Sequence, residues 1–405
     1  MAHALPLAGV HIVDLMWVIA GPSATRVLAD YGATVVRIES TRHLDTARTI
    51  GPFQDGSPGP ENSGLFQNVN AGKLGLTLDM ASDAGREIFL DLVRWADVVT
   101  ESFSPQVMRS LGLAYDTLQQ VKPDLIMLST CLMGQTGPMA NFAGFGNLAA
   151  AISGFFSLTR WPDRAPAGPF SAYTDYVSPR FTAMAILAAL DHRHRTGEGQ
   201  YIDQSQVESA LHFLGPALLD YTVNDREQTL AGNRDPHMAP HGVYAAAGDD
   251  RWVALAVQTE EQWKALCGVM QQPELARNPR FATLTSRLAH QDELDAIITD
   301  WTRTREALDL ETILQEHDIA ASVVQRLYDL YDDPQLQHRG HFVPREHPLH
   351  GTITVENSRF ILSRTPAWIG RTAPTLGRDN HEVLGTILGY SAERIAALEA
   401  QGVLQ

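Results

Sequence analysis

The chain has 405 residues, long enough for two or three domains. It is 44% hydrophobic and 19% charged, an ordinary globular composition. Its formal net charge of −16 disfavours nucleic acid and anionic membrane as partners, while leaving room for an anionic small ligand held by a few cations and backbone N–H groups. The longest apolar runs, such as Phe181 to Leu190, fall far short of a membrane-spanning helix. The start, Met-Ala-His-Ala-Leu-Pro, has no basic region before an apolar stretch, and two cysteines cannot form a disulfide framework. A reducing cytoplasm is the expected home.

In chain order, His11–Leu15 is a short apolar run and Thr34–Glu39 a β-branched one, with helical spacing over Pro22–Tyr31 between them. Leu74–Met80 predicts a strand, and Ala81–Ala96 an amphipathic helix with Ser82 available as a cap. Asp97–Glu101, the helical Pro105–Leu111 and Tyr115–Val121, and the strand Leu125–Thr130 follow. Strands alternating with helices argue for a parallel sheet with crossover helices. After a Gly/Pro-rich stretch at 131–147 come helices over Leu148–Leu158 and Pro179–Leu190, a polar loop Arg193–Gln200, a strand Tyr201–Asp203 and a helix over 204–222. The loop Gly232–Gly242 marks a boundary. Beyond it lie the strand Trp252–Val257, helical patterns through 260–316, the strand Ala321–Val324, β structure over His347–Ile361 and a short helix Ala392–Gln401.

Several motifs invite a chemical reading. Gly144-Phe145-Gly146-Asn147-Leu148-Ala149 fits G-x-G-x-x-A, but no strand runs straight into it, so it reads as a glycine loop before a packed helix. His237, His241, His338, His341, His347 and His350 lie in loop-like sequence, and Pro240 spoils the one i, i+4 pair, so they read as solvated histidines and no metal site is expected. No serine sits in G-x-S-x-G. Cys131 and Cys267 sit among apolar residues and read as packing. Asp175 stands just ahead of a long apolar helix, with Ser178 as expected N-cap and Pro179 in the first turn. There the helix dipole favours an ionised carboxylate. On local sequence alone, an aspartate that only supports the helix start is the favoured reading.

The whole-chain pattern resembles the class III CoA-transferases, which include formyl-CoA and carnitine CoA-transferases and the related α-methylacyl-CoA racemases. The resemblance rests on Leu7-Ala8-Gly9-Val10 through Asp14-Leu15, Ala20-Gly21-Pro22, Leu28 to Ala33, Val36 to Glu39, Lys73 to Asp79, Ala96 to Glu101, Gly134 to Pro138, Arg195 to Asp203, and Leu376-Gly377 to Leu384. It implies a Rossmann-like α/β large domain with a parallel sheet, made of residues 1–224 and completed by a return segment, 329–405, around a smaller α+β domain at 225–328. It also implies an interlocked homodimer. Asp175 falls on the family's nucleophile. The implied activity is intermolecular transfer of CoA from an acyl-CoA donor to a free carboxylic acid, through an aspartyl mixed anhydride and an aspartyl-CoA thioester. CoA is then a substrate, with no permanently bound cofactor.

The family's CoA contacts fall on Trp17 and Ala20, on Leu78, Met80 and Ala81, and on Ser102 and Phe103. Its phosphate-binding arginine falls near Arg109, one residue earlier than the pattern. Arg37 and Lys73 read as structural. Trp17-Val18-Ile19 replaces the His-x-Gln of formyl-CoA transferases, and Asp235-Pro236-His237-Met238 replaces their glycine run. Both changes point to a larger, less polar acyl group than oxalate. Phe145 stands where the racemases keep a histidine, although Glu260 matches their acid; one acid without its partner base cannot exchange an α-proton from two sides. The alternatives are an acyl-CoA epimerase or racemase, and a non-catalytic CoA-binding subunit of a heteromeric transferase.

Overall fold

The computed structural model describes residues 4–228 and 232–405; Met1–His3, the start of the amino-terminal segment, and 229–231 lie outside it. Six strands, β1 (His11–Leu15), β2 (Thr34–Glu39), β3 (Leu74–Thr77), β4 (Val98–Glu101), β5 (Ile126–Cys131) and β6 (Tyr201–Ser205), form one sheet in the order β3-β2-β1-β4-β5-β6. Every neighbouring pair is parallel. β1, β4 and β5 are buried almost throughout between crossover helices, so they show no in–out alternation, whereas the edge strand β6 is largely exposed at its start. Sheet order reverses between β1 and β4, and the crevice beyond the carboxyl ends of such strands is where open α/β sheets bind ligands.

Local signals set most helix bounds. Ser82 caps Asp83–Trp95 by accepting from the Gly85 N–H at 3.0 Å. The expected strand to Met80 ends at Thr77 because its partner β2 ends at Glu39, Leu78 N–H makes the last ladder bond to Glu39 O (2.8 Å), and Asp79 N–H turns to Val403 O (2.8 Å). β3 is an edge strand, and the C-terminal segment covers it. Gly75 N–H donates to Asp379 Oδ2 (2.7 Å) and Thr77 N–H to Asn380 Oδ1 (2.9 Å). A Cβ on Gly75 would stand 2.5 Å from Pro374, so glycine lets the two segments close together. Val383, Leu384, Ile395 and Leu398 then join Leu76, Ile88, Phe89 and Leu92 in one core, each fully buried side chain contributing about 1.5–3 kcal/mol. The C-terminal segment therefore completes the α/β domain.

The largest departure concerns the helix near Asp175. It runs from Tyr173 to Thr196, about one and a half turns earlier than Ser178 and Pro179 indicate and as far beyond Leu190. Asp175 lies inside its first turn. Pro179 is tolerated within the helix at the loss of the N–H that would have bonded the Asp175 carbonyl. At the other end the basic residues Arg193, His194 and Arg195 suit the last turn, and Gly197, at φ 79°, stops the helix in the left-handed conformation. The apolar stretch over 148–158 divides into Gly146–Ile152 and Phe155–Leu158 at Gly154 (φ 96°).

Contacts divide the chain into two compact units. The first comprises the sheet, its helices and residues 335–405, and includes an antiparallel hairpin, β10 (Phe342–His347) with β11 (Gly351–Glu356), where one run over His347–Ile361 is expected from sequence. The second takes in residues 158–166 and, among the described residues, 232–334. In it β7 (His241–Ala245), β8 (Trp252–Ala256) and β9 (Ala320–Val323) form an antiparallel sheet. The helices Glu260–Val269, Gln291–Thr302 and Ala307–Gln315 share its core of Trp263, Leu266, Leu294, Ile298 and Leu310. β7 escapes a sequence reading because Pro236 and Pro240 make its approach look like loop alone.

Candidate active site

The chain leaving β1 makes a pinned turn. Met16 N–H donates to Asp14 Oδ1 (2.9 Å), Trp17 N–H to Ser102 Oγ (2.8 Å) and Val18 N–H to Asp45 Oδ1 (2.9 Å). Val18 has φ 66°, a conformation strained for a β-branched residue and held only because its surroundings over-determine it. Arg37, fully buried on β2, pairs with Asp45 and donates to Met16 O at 2.6 Å. Lys73, also fully buried, donates to Asp14 Oδ2, Asn70 Oδ1 and Pro22 O, each at 2.9 Å. Burial pulls its ammonium down to about 8 against the opposing pull of Asp14. Arg37 and Lys73 thus hold the turn and touch no cleft-lining space.

Opposite this turn stands Asp175, 5% exposed. Gln206, the first helical residue after β6, donates from Nε2 to Asp175 Oδ1 and to Thr174 Oγ1, the latter at 3.0 Å. Thr174 Oγ1 in turn donates to Gly146 O (2.9 Å). The Gly146 backbone N–H lies near enough to the Asp175 carboxylate to favour its charged form. A Cβ on Gly146 would lie 2.7 Å from Asp175 Cγ and Oδ1 and 2.9 Å from Oδ2, so the carboxylate rests directly on that backbone. The G-x-G motif serves this close approach. Burial raises the Asp175 carboxyl to about 6, and the Gln206 hydrogen bond and the nearby Gly146 N–H only partly oppose it. The helix start therefore does not keep this carboxylate at an ordinary value, contrary to the dipole argument.

Asp175 opens onto a cleft of about 540 Å³, where Trp17, Ala20, Ser102 and Phe103 also lie. Trp17 and Phe103 meet edge to face, with centroids 5.9 Å apart. Val18, Leu132, Phe142 and Phe145 extend an apolar wall, and Asp175 is the one charged side chain among the described residues lining the cleft. Four expected contacts lie elsewhere. Leu78 is in the core, Met80 packs half-buried against that core, and Ala81 is exposed. Arg109 lines a second cleft of about 250 Å³ with Glu101, Tyr115 and Tyr201. The two clefts share Ser104 and Pro105. Burial lifts Glu101 to about 7, although the Phe103 N–H donates to it at 2.7 Å.

Gln206 and Gly146 were not singled out by sequence. Gln206 had a signal, because it directly follows the carboxyl end of a sheet strand. Gly146 had one in its motif, which pyrophosphate chemistry alone could not interpret. Two bland readings also change. Cys131 is half-buried and lines the first cleft, whereas Cys267 is fully buried. His347 is not solvated: it is 3% exposed, stacks on His350 at 4.6 Å and meets Gln67 Nε2 at 3.1 Å, and burial lowers it to about 4. Glu260 is taken up by Arg287, at 2.9 and 3.1 Å, and by the Leu284 N–H at 3.0 Å. Among the described residues no group of three or more His, Cys, Asp or Glu could hold a metal, and no helix is long and apolar enough to cross a membrane.

The sequence signature described as CoA-transferase family III matches residues 7–380. The chain belongs to that family. It is 32% identical over 400 residues to succinyl-CoA–D-citramalate CoA-transferase of Chloroflexus aurantiacus, covering 98% of each chain. It is 33% identical over 384 residues to succinate–glutarate CoA-transferase of Agrobacterium fabrum, covering 94% of this chain and 96% of the relative. A crystal structure of a CAIB/BAIF family protein from Brucella suis superposes with a TM-score of 0.88 at 28% identity, over 95% of this chain and all of that one. The fold, a six-stranded doubly wound sheet closed by its own C-terminal segment, is thus that of a family III CoA-transferase, and the enzyme class follows.

Proposed function

We propose that this family III transferase carries CoA from an acyl-CoA donor to a free carboxylic acid with Asp175 as covalent carrier. The observation that carries the reading is a buried carboxylate, alone in charge, facing an otherwise apolar and hydroxyl-lined cleft. Asp175 attacks the donor thioester carbon; the C–S bond breaks and CoA thiolate leaves, giving a mixed anhydride. The thiolate then attacks the aspartyl carbonyl, the donor acid departs as carboxylate, and an aspartyl-CoA thioester remains. The acceptor carboxylate repeats these events in reverse. The thioester energy is never released to water, which the aromatic walls Trp17, Phe103 and Phe145 help to exclude. The pantetheine arm would pass Ser104 and Pro105 toward Arg109, the cation of the adjoining cleft.

The wall also bears on the acid. With Trp17, Phe103, Leu132, Phe142 and Phe145 around Asp175, the cleft suits an acyl group with an apolar body, and the described lining offers no cation for a second carboxylate. On this reading the acid differs from the dicarboxylates citramalate and glutarate in the names of two relatives. Incubation with a panel of acyl-CoA donors, rapid quench and peptide mapping tests both points. An acyl or CoA adduct should appear on the peptide containing Asp175, and most strongly with apolar donors. No adduct with any donor would overturn the covalent reading.

Proton exchange at the α-carbon is the competing chemistry, and Phe145 and the Arg287-bound Glu260 both stand against it. A 2-methylacyl-CoA incubated in deuterated water is expected to gain no enzyme-dependent α-deuterium. Label uptake that scales with enzyme would make epimerisation the better reading. A non-catalytic role in a heteromeric transferase is opposed by the intact Asp175 cradle.

The resemblance also implies an interlocked homodimer, and the first unit has surface to bury. No residue of the helix Gly215–Asn224 is buried, and Leu219, Tyr221 and Val223 are 60–75% exposed. A particle of twice 44.5 kDa is expected at nanomolar concentration. A folded, active monomer in sedimentation at that concentration would refute it.

A further inference from the structure

We infer that Gln206 Nε2 and the Gly146 N–H form an oxyanion hole aimed at the aspartyl carbonyl itself; this rests on Asp175 being the covalent carrier. Of the four displacements in the cycle, two occur at an acyl carbon of donor or acceptor. The other two occur at the Asp175 carbonyl carbon. In one, CoA thiolate adds to the anhydride, a C–S bond forms and the C–O bond to the donor acid breaks. In the other, the acceptor carboxylate adds to the aspartyl thioester, a C–O bond forms and the C–S bond breaks, releasing thiolate. No proton or redox equivalent moves in either. The aspartyl oxygen that attacks the donor leaves with the donor acid, so the second oxygen stays on the carbon throughout and takes the negative charge in both tetrahedral states.

Gln206 assigns these roles. Its Nε2 donates to Oδ1 and thereby marks Oδ1 as the retained oxygen. The Gly146 N–H approaches the same carboxylate, in van der Waals contact only a glycine permits. Thr174, fully buried, ties the two donors together, since its Oγ1 accepts from Gln206 Nε2 and donates to Gly146 O. Such donors are oriented before charge develops, and loss of one typically lowers turnover a hundredfold or more.

The role predicts an imbalance between intermediates. Attack of Asp175 on the donor places no new charge on Oδ1, so removing Gln206 leaves anhydride formation intact and slows its conversion to the aspartyl-CoA thioester. Gln206→Met keeps length and volume without the donor. In rapid-quench peptide mapping its ratio of acyl adduct to CoA adduct at Asp175 is expected to rise at least tenfold over the unmodified enzyme, with kcat down roughly a hundredfold. Thr174→Val, nearly isosteric, is expected to shift the ratio in the same direction by a smaller factor and guards against misfolding of the first variant. Equal loss of both adducts would make Gln206 a strut for the carboxylate and overturn the proposal, as would an unchanged ratio at near-normal turnover. Absence of both adducts in the unmodified enzyme would instead remove the nucleophile reading on which it stands.

Discussion

Asp175→Ala is expected to reduce CoA transfer by about 10⁴-fold or more while leaving the fold intact, because no other described carboxylate lines the cleft to take over covalent attack. Steady-state turnover with the best donor–acceptor pair checks it, and a variant with even a tenth of normal kcat would remove Asp175 from the mechanism. The ionised carboxylate is the nucleophile, so kcat/KM should fall as pH drops through about 6, the value to which burial raises the group. Stability has the opposite sign. A folded-state value above the ordinary 3.8 means that the folded protein binds the proton more tightly than the unfolded chain. The stabilisation this gives is fully present below about 4 and is lost as pH rises through 6. At neutral pH the ionised Asp175 is therefore a strained resident. Asp175→Asn, neutral at every pH, should be inactive yet unfold a degree or two higher at pH 7.5, a difference that shrinks toward pH 5. Calorimetry at the two pH values measures it.

Gly146→Ala should be nearly as damaging without touching a reactive group. The new Cβ would stand 2.7 Å from Asp175 Cγ and Oδ1, well inside contact distance, and those atoms belong to a side chain already held by Gln206 and its own helix. Carboxylate and backbone must part by most of an ångström. Displacements of that size cost about a hundredfold in rate, whereas alanine at the first turn of a helix is favourable for helix stability. The expected result is a kcat at least a hundredfold lower with a melting temperature within about 2 °C of normal. Gly144→Ala provides the contrast. Its Cβ would meet Leu148 and Leu132 side chains and not the carboxylate, so it should lower melting temperature more than turnover. Full activity in Gly146→Ala would show that the glycine's role is not the cradle.

The α/β architecture was legible because its signals are local. Apolar runs at His11–Leu15 and Thr34–Glu39, and a serine cap before Asp83, need no knowledge of distant partners. The edge of β3 was not, because its neighbours, Pro374, Asp379 and Asn380, lie some 300 residues away in sequence. The start of the helix at Tyr173 was misjudged for a related reason. Ser178-Pro179 is a good cap locally, but Thr174 and Asp175 are drawn into the helix by bonds to Gly146 and Gln206 that no local pattern contains. At the site, Trp17 and Ala20 after β1 and Ser102 and Phe103 after β4 converge on Asp175, which comes from the first turn of a helix. Leu78, Met80 and Ala81 fall away because β3 ends early and turns its next residues toward the C-terminal segment.

That C-terminal closure has a consequence for how the protein is made. Val383, Leu384, Ile395 and Leu398 belong to the same core as Leu76, Phe89 and Leu92, and the backbone of Val403 accepts from Asp79. A nascent chain that has emitted all six strands of the sheet still lacks this wall, and must first synthesise most of the second unit. At 5–20 residues per second the gap lasts roughly 10–40 s. Throughout it the β3 edge and the apolar side chains beneath it face solvent or a chaperone. Ribosomes stalled anywhere in residues 229–334 should therefore carry a first unit that binds holdase chaperones and yields to protease. Addition of residues 335–405 should release it.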